Sequence, residues 1–386
     1  TLFIKTLNGR KLLFDMKGLG FEQYTGSIPK NARRLRRRLT DSFGNIWASS
    51  NSGIELTVNP TAGYSYVVNP DYPYARAMYE DSDGRIWIAW CGEPGRTDNP
   101  GEVIIYDASG KPIVTQMRGY GVYSIMEDVK KNIWLGTRDK GLIILTPGGN
   151  GQYRQIHYQA RDDAGCLSHD AIFDIVSDSD GRVWLATLGG GLNVVDRGYD
   201  IANISFSVPA GFPAAEYPRV RSVLECGGKL YVGTDTGMLC SQEKVSDTNI
   251  TFVAVKSGAS HPAEEIIHLT DWTPHVFLVS SFGKGIYGYD CDKETFFIVA
   301  ADSIADKQPV FAAVPVGNDS LWVTTQTGIL LYDLTKHNTF ITPMGGRLKM
   351  LETKPLRDSR GQLWFASTTG VVHINDSLMA ETNQYS

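Results

Sequence analysis

An all-β fold of repeated four-stranded units is what this sequence predicts. Three observations carry the prediction: an aromatic residue that returns every 40–50 residues, a turn signature that returns with it, and no long stretch with a helical apolar period. The aromatics are Trp47, Trp87, Trp134, Trp184, Tyr231, Phe277, Trp322 and Trp364, at spacings of 40, 47, 50, 47, 46, 45 and 42 residues. A mean of about 45 residues is the period of a propeller blade and exceeds that of helix-pair repeats. The 40 glycines among 386 residues, with 8 Trp, 18 Tyr and 15 Phe, fit many short strands joined by tight turns.

Each unit has the same order of elements. An apolar strand A precedes a turn, as in EDSDGRIWIAW (80–90), EDVKKNIWLGT (127–137), SDSDGRVWLAT (177–187) and TDSFGNIWASS (40–50). Strand B follows with the aromatic, and a glycine then opens strand C, as in GLIIL (141–145) and GLNVV (191–195). All four strands are legible around Trp184: AIFDIV, RVWLAT, LNVVD and ISFSV. The last unit runs out of residues soon after its strand C, whereas the chain opens on TLFIKTLNGRKLLFDM, two strands around an Asn-Gly hairpin. The expectation is a β-propeller of four-stranded antiparallel blades, eight in number with seven as the alternative, closed by N-terminal strands that complete the last blade.

The recurring residues read as structural. One large aromatic per strand B is the filler that packs blade on blade. Asp81, Asp128, Asp178 and Asp358 open A–B turns, where an aspartate folds its carboxylate onto backbone N–H groups, and Gly84 and Gly181 supply positive φ. The DSDG segments lack the glutamate and helices of a calcium-binding loop, and no histidine pair has metal spacing, so neither a metal nor a cofactor is expected. The five cysteines are odd in number and widely spaced, which predicts free, mostly buried thiols. A net charge of −5 argues against a nucleic-acid partner. No run of about 18 apolar residues and no charged-then-apolar leader is present, so any membrane attachment is expected through other segments of a parent chain.

The pattern E-D-x-x-G-x-I-W-I/L-G/A-T, followed by G-L/I and another strand, resembles the repeat of two-component-regulator propellers. These are the extracytoplasmic sensor halves of hybrid histidine kinases of Bacteroidetes. GCLSHDAIFDIVSDSDGRVWLATLGGGLNVVD (165–196) also resembles that family's approach to strand A, departing at Cys166 and Leu167. The resemblance implies a non-catalytic, periplasmic domain that binds an oligosaccharide, in a parent protein that pairs as a homodimer to signal.

Strand order places a ligand. In a four-stranded meander the D–A connections and B–C turns share one face of the disc, and strand A lines the axis. Counting five residues back from the recurring Asp or its equivalent gives Arg36, Arg76, Tyr123, Phe173, Arg221, Ile266 and Phe311. With Arg38, Arg118, Arg219, Arg347 and His268 nearby, an acidic chain is expected to concentrate positive charge at its axis, suited to a uronate-containing or sulfated sugar. The long B–C segment WCGEPGRTDNPGEV (90–103) offers Trp90 for stacking and Arg96 for hydroxyls or anions, with Tyr74, Arg118 and Tyr120 beside it. Two other functions fit the scaffold. A polysaccharide lyase or glycoside hydrolase needs paired acids at the mouth, for which Glu216, Glu264, Glu265 and Asp98 are the candidates, and a protein-interaction scaffold needs none.

Overall fold

A computed structural model describes residues 2–5, 11–15, 20–23, 38–40, 46–50, 53–57, 64–69, 71–92, 101–107, 110–148, 152–163, 165–204, 219–242, 250–255, 265–282, 285–300, 309–326, 328–341 and 350–374. These residues contain strands and no helix, in seven four-stranded and two three-stranded antiparallel sheets. The seven larger sheets are the blades of a closed ring. Blade one comprises Tyr74–Glu80, Ile86–Cys91, Glu102–Tyr106 and Pro112–Gln116, in the sheet order A-B-C-D. Blades two to seven open with strands A at Val122–Glu127, Ile172–Ser177, Val220–Cys226, Ile266–Thr273, Val310–Val316 and Leu356–Arg357.

The ring has seven blades rather than eight, and strand pairing gives the reason. Tyr64–Val67, the fourth strand of the Trp47 unit in sequence, pairs with Gly370–Ile374 of blade seven, from Val371↔Val67 to Ile374↔Tyr64. The rest of that unit, Arg38–Thr40, Ile46–Ser50 and Gly53–Thr57, is left as a three-stranded sheet. An N-terminal strand therefore does close the ring, but Leu2–Lys5 and Lys11–Asp15 do not supply it. They pair with each other and with Gly20–Gln23.

The anchors fill the seams between blades. Trp87 packs with Val122 and Ile125, Trp134 with Ile172, Trp184 with Val220 and Val223, and Trp322 with Leu363 and Phe365. Trp364 meets Ile86 across the closure. Blade five departs by one residue: its cross-strand pair Thr270↔Leu278 corresponds to Tyr79↔Trp87, so Leu278 holds the anchor register and Phe277 faces blade four.

The A–B turns do more than turn. Asp81 accepts from the backbone N–H groups of Asp83 and Arg85 with one oxygen and from Arg85 Nε and the Trp87 indole with the other. Asp128, Asp178 and Asp358 likewise hold Trp134, Trp184 and Trp364, at 2.8–3.1 Å. Each carboxylate thus ties a turn to a core indole. Gly84 and Gly181 have φ of 76° and 75°, as the turn requires, and Lys131 occupies the same place at 65°.

A second contact latches neighbouring blades. Ser82 donates its N–H and hydroxyl to Glu127 of the next blade, Ser179 does the same to Glu225, and Ser359 to Glu80 across the closure. Blade four has Cys226 where blades one, two, three and seven carry the clamping aspartate, and there the expectation of free thiols fails. Cys226 forms a disulfide with Cys291 of blade five, 65 residues on, with the Cα atoms 6.5 Å apart. Spacing along the chain does not reveal a pair that only the side-by-side placement of two blades creates. Cys91 and Cys240 are buried thiols, and burial pushes Cys91 up to about 11.

Candidate ligand-binding site

One structural device builds the axis. In each of blades one to six, strand A carries a β-bulge, with register shifts at Ala75/Ala77, Val122/Ser124, Ile172/Asp174, Val220/Ser222, Ile266/His268 and Val310/Ala312. The extra residue is Arg76, Tyr123, Phe173, Arg221, Ile267 or Phe311. A bulged residue leaves the alternation of its strand and re-aims its side chain. Five of these six line a single cavity at the start of the A strands, and Thr353 of blade seven joins them. Phe311 turns into the core of blades six and seven instead. Counting back from the aspartate therefore names the bulge in every one of these blades except five, where the structure replaces Ile266 with Ile267.

The cavity has a volume of about 100 Å³ and also exposes Ser124, Asp174, His268, Glu352 and Lys354. Arg76 lies over the Tyr123 ring at 5.3 Å, and Tyr123 meets Phe173 edge to face at 5.2 Å. Burial raises the Tyr123 phenol while Arg76 opposes the shift, so the ring stays neutral. Asp174 is committed to structure: it accepts from Ser222 Oγ, Val223 N–H and Ile175 N–H.

The expectation of a basic axis needs correction at Arg221. Its guanidinium binds Asp235 at 2.6 Å, Glu265 at 3.2 Å and Glu352 at 3.2 Å. Burial disfavours the charge, yet Asp235, then Glu352 and Glu265, outweigh it and raise the pKa. The pair with Glu352 joins blade four to blade seven across the mouth. Arg221 is a fully compensated cross-brace, and Glu265 is spent on it. Arg219 is exposed and faces Asp235 at 3.9 Å.

The second predicted cluster does not join the cavity. Trp90 is fully buried among Ile88, Tyr106 and Trp364, and its indole donates to Tyr106 Oη at 3.0 Å, so no face is open to a sugar ring. Its place on a central strand between two blades, not its neighbouring loop, decides this. Tyr74 packs against the same cluster. Arg118 is exposed and pairs with Glu102 at 3.4 Å, while Tyr120 carries Lys140 over its ring at 4.6 Å. Arg36, Arg96, Asp98, Arg347, Glu216 and Glu264 lie outside the described residues.

Sequence reasoning placed His268 near the axis but missed Ser124. His268 Nε2 and Ser124 Oγ are enclosed and have no hydrogen-bond partner. Both stand one residue after a bulge, a position held by Ala77, Asp174, Ser222 and Ala312 in the other blades, so the available signal was a register that is polar in four of six blades. Among the described residues, no group of three or more His, Cys, Asp or Glu is placed to hold a metal.

Two segments, 70–89 and 166–189, match the model of the two component regulator propeller. No curated protein matches the sequence at a significant level. Among solved structures, the extracellular domain of a hybrid two component system from B. thetaiotaomicron superposes with a TM-score of 0.65 at 16% identity, over 99% of this chain and 52% of that one. The extracellular domain of a one component system from the same organism gives 0.60 at 16% identity, over 96% and 52%. PorZ, a surface component of the type-IX secretion system of Porphyromonas gingivalis, gives 0.58 at 14% identity, over 97% and 56%. The chain spans about half the length of these structures, and at such identities the likeness is one of fold.

Proposed function

We propose that this propeller is the ligand-sensing module of an extracytoplasmic two-component regulator, and that it binds a carbohydrate at the axial cavity. The observation that carries the reading is the convergence of bulged side chains from separate blades on one opening. It lies at the face where the D–A connections and B–C turns meet, where pockets of propellers and other closed β folds are sited. The matched repeats and the likeness to extracellular domains of B. thetaiotaomicron regulators support a regulator, and the inter-blade disulfide supports an oxidising, extracytoplasmic setting. The module is non-catalytic in this reading: the recurring aspartates clamp turns and indoles, and Glu265, the described one of the mouth-side acids, braces Arg221. An acidic or sulfated oligosaccharide is the ligand class favoured by Arg76 and Lys354. The ligand would be signalled through a membrane segment and kinase of a parent protein, acting as a homodimer.

The test is a glycan panel read by thermal melting, with product analysis of the same mixtures. A ligand at a hundred times its Kd stabilises by about 2.7 kcal/mol, a readily measured shift. Stabilisation without product supports the sensor; product formation assigns an enzyme. A co-purifying protein with no glycan response assigns an interaction scaffold.

A further inference from the structure

The axial cavity holds an unmatched set of groups. Among the described residues, Arg76 has no carboxylate partner and rests only on the Tyr123 ring, and Lys354 has none on the opposite side of the chain's order, in blade seven. On two other residues that line the cavity, His268 Nε2 and Ser124 Oγ are closed off from solvent and unbonded. Buried polar atoms are nearly always satisfied, so two orphans on the lining of one cavity mark a missing partner.

The state of His268 fixes what that partner must bring. Burial first, then the charges of Lys354 and Arg221, pushes its pKa down to about 3, so the ring is neutral at physiological pH. Of the two ring nitrogens, Nε2 is the one enclosed without a partner. In a neutral imidazole such a nitrogen donates or accepts one hydrogen bond according to the tautomer. The missing partner at this point is therefore a group able to do either, as a hydroxyl is and a carboxylate is not. Arg76 and Lys354 ask for the opposite, an anion. Tyr123 and Phe173 supply apolar surface between them.

Volume limits the ligand further. About 100 Å³ is well under the roughly 300–1,000 Å³ of a pocket that encloses a drug-sized molecule. We propose that the cavity receives one hydroxylated ring bearing a single acid group, the terminal unit of an acidic glycan. A ring hydroxyl bonds His268 Nε2, a second bonds Ser124 Oγ, and the acid group is held by Arg76 and Lys354. This rests on the carbohydrate reading above and narrows it to a chain end, because a cavity of about 100 Å³ leaves little room for sugars on both sides of the unit it holds.

The experiment titrates two sets of oligosaccharides by calorimetry, one ending in a uronate or a sulfated hexose and one carrying the same acid unit only internally, with neutral chains as a third set. Acid-terminated chains are expected to bind more tightly than both others by about tenfold or more, the worth of one charge-assisted hydrogen bond. Lys354→Met, at an exposed position, and Arg76→Ala should abolish that preference. His268→Leu should weaken binding about tenfold and His268→Gln, which keeps a donor and an acceptor, should restore part of it. Unliganded melting of each variant verifies folding. Equal binding of internal, terminal and neutral chains overturns the proposal and leaves the sensor reading standing. So does glycan binding that none of the four substitutions alters, which would leave the orphans to ordered water. If no chain of any set binds, both readings fall.

Discussion

Blades three and four stand side by side and are held by different means. In blade three, Asp178 binds two backbone N–H groups, the Arg182 guanidinium and the Trp184 indole, and Ser179 reaches Glu225 of the next blade. In blade four the equivalent of the aspartate is Cys226, the turn shrinks to Gly227 and Gly228 with φ of 61° and 78°, and the anchor is Tyr231. Burial raises the Tyr231 phenol far above its usual range, and the ring packs with Phe277 and Tyr289 of blade five at 4.9 and 5.3 Å. Where the clamp is absent, a covalent link and an aromatic cluster join the blades instead. The lesson is that the repeat conserves a task, fixing strand B and the seam, rather than a residue.

Removing a clamp should have the largest effect on that comparison. Asp178 and Arg182 form a buried pair, so Asp178→Ala leaves the indole N–H unmatched and takes from Arg182 its buried carboxylate, keeping the more exposed Asp180, and is expected to cost about 3–5 kcal/mol. Urea unfolding measures it; a loss under about 1 kcal/mol would mean the clamp is ornamental. Next comes the disulfide. Opening a 65-residue loop costs roughly 4 kcal/mol in the loop-entropy account, with 2–4 typical. Cys226→Ser should lose that stability, and a reductant should lower the wild type to the variant's level while leaving the variant unmoved.

Breaking a latch should matter less. Glu80→Gln weakens an exposed contact at the ring closure and is expected to cost about 0.5–1 kcal/mol. If the closure is the weak seam of the ring, Glu80→Gln will exceed Glu127→Gln; equal losses would show that all seams open together. The smallest effect is on pH. Burial works against the Asp358 carboxylate, but the Gln362 N–H, the Trp364 indole and Arg360 outweigh it and lower its pKa. A pKa lowered on folding contributes stability that is present above the unfolded value of about 4 and is lost as pH falls through the folded value. Asp358→Asn should accordingly flatten the acid limb of stability below about pH 4, without changing the slope near neutrality.

Much of this was legible in the chain. The turn chemistry of Asp81 and Asp178 follows from local rules, because an aspartate and the N–H groups it accepts from lie within four residues. The latch is also written in the repeat once it is seen. Ser82, Ser179 and Ser359 each face a glutamate in the next blade, whereas Val129 follows Asp128 in a turn whose neighbouring blade offers Ser177 instead. The cavity was half legible. Arg76, Tyr123, Phe173 and Arg221 share a fixed distance from the turn, but their chemistry did not follow from their types, since Arg221 meets three carboxylates drawn from other segments.

What the sequence by itself determined is the blade: its period, its turns, its filler aromatic and the register of its axial residue. These are set by contacts within about 45 residues, and local propensity and alternation encode them. Tertiary structure alone decided the number of blades, the disulfide, the burial of Trp90 and the orphaned pair in the axis. Each depends on which segments are brought together from distant parts of the chain. Val67 and Val371 close the ring across some 300 residues, and no pattern within a blade can state which partner a free sheet edge will find.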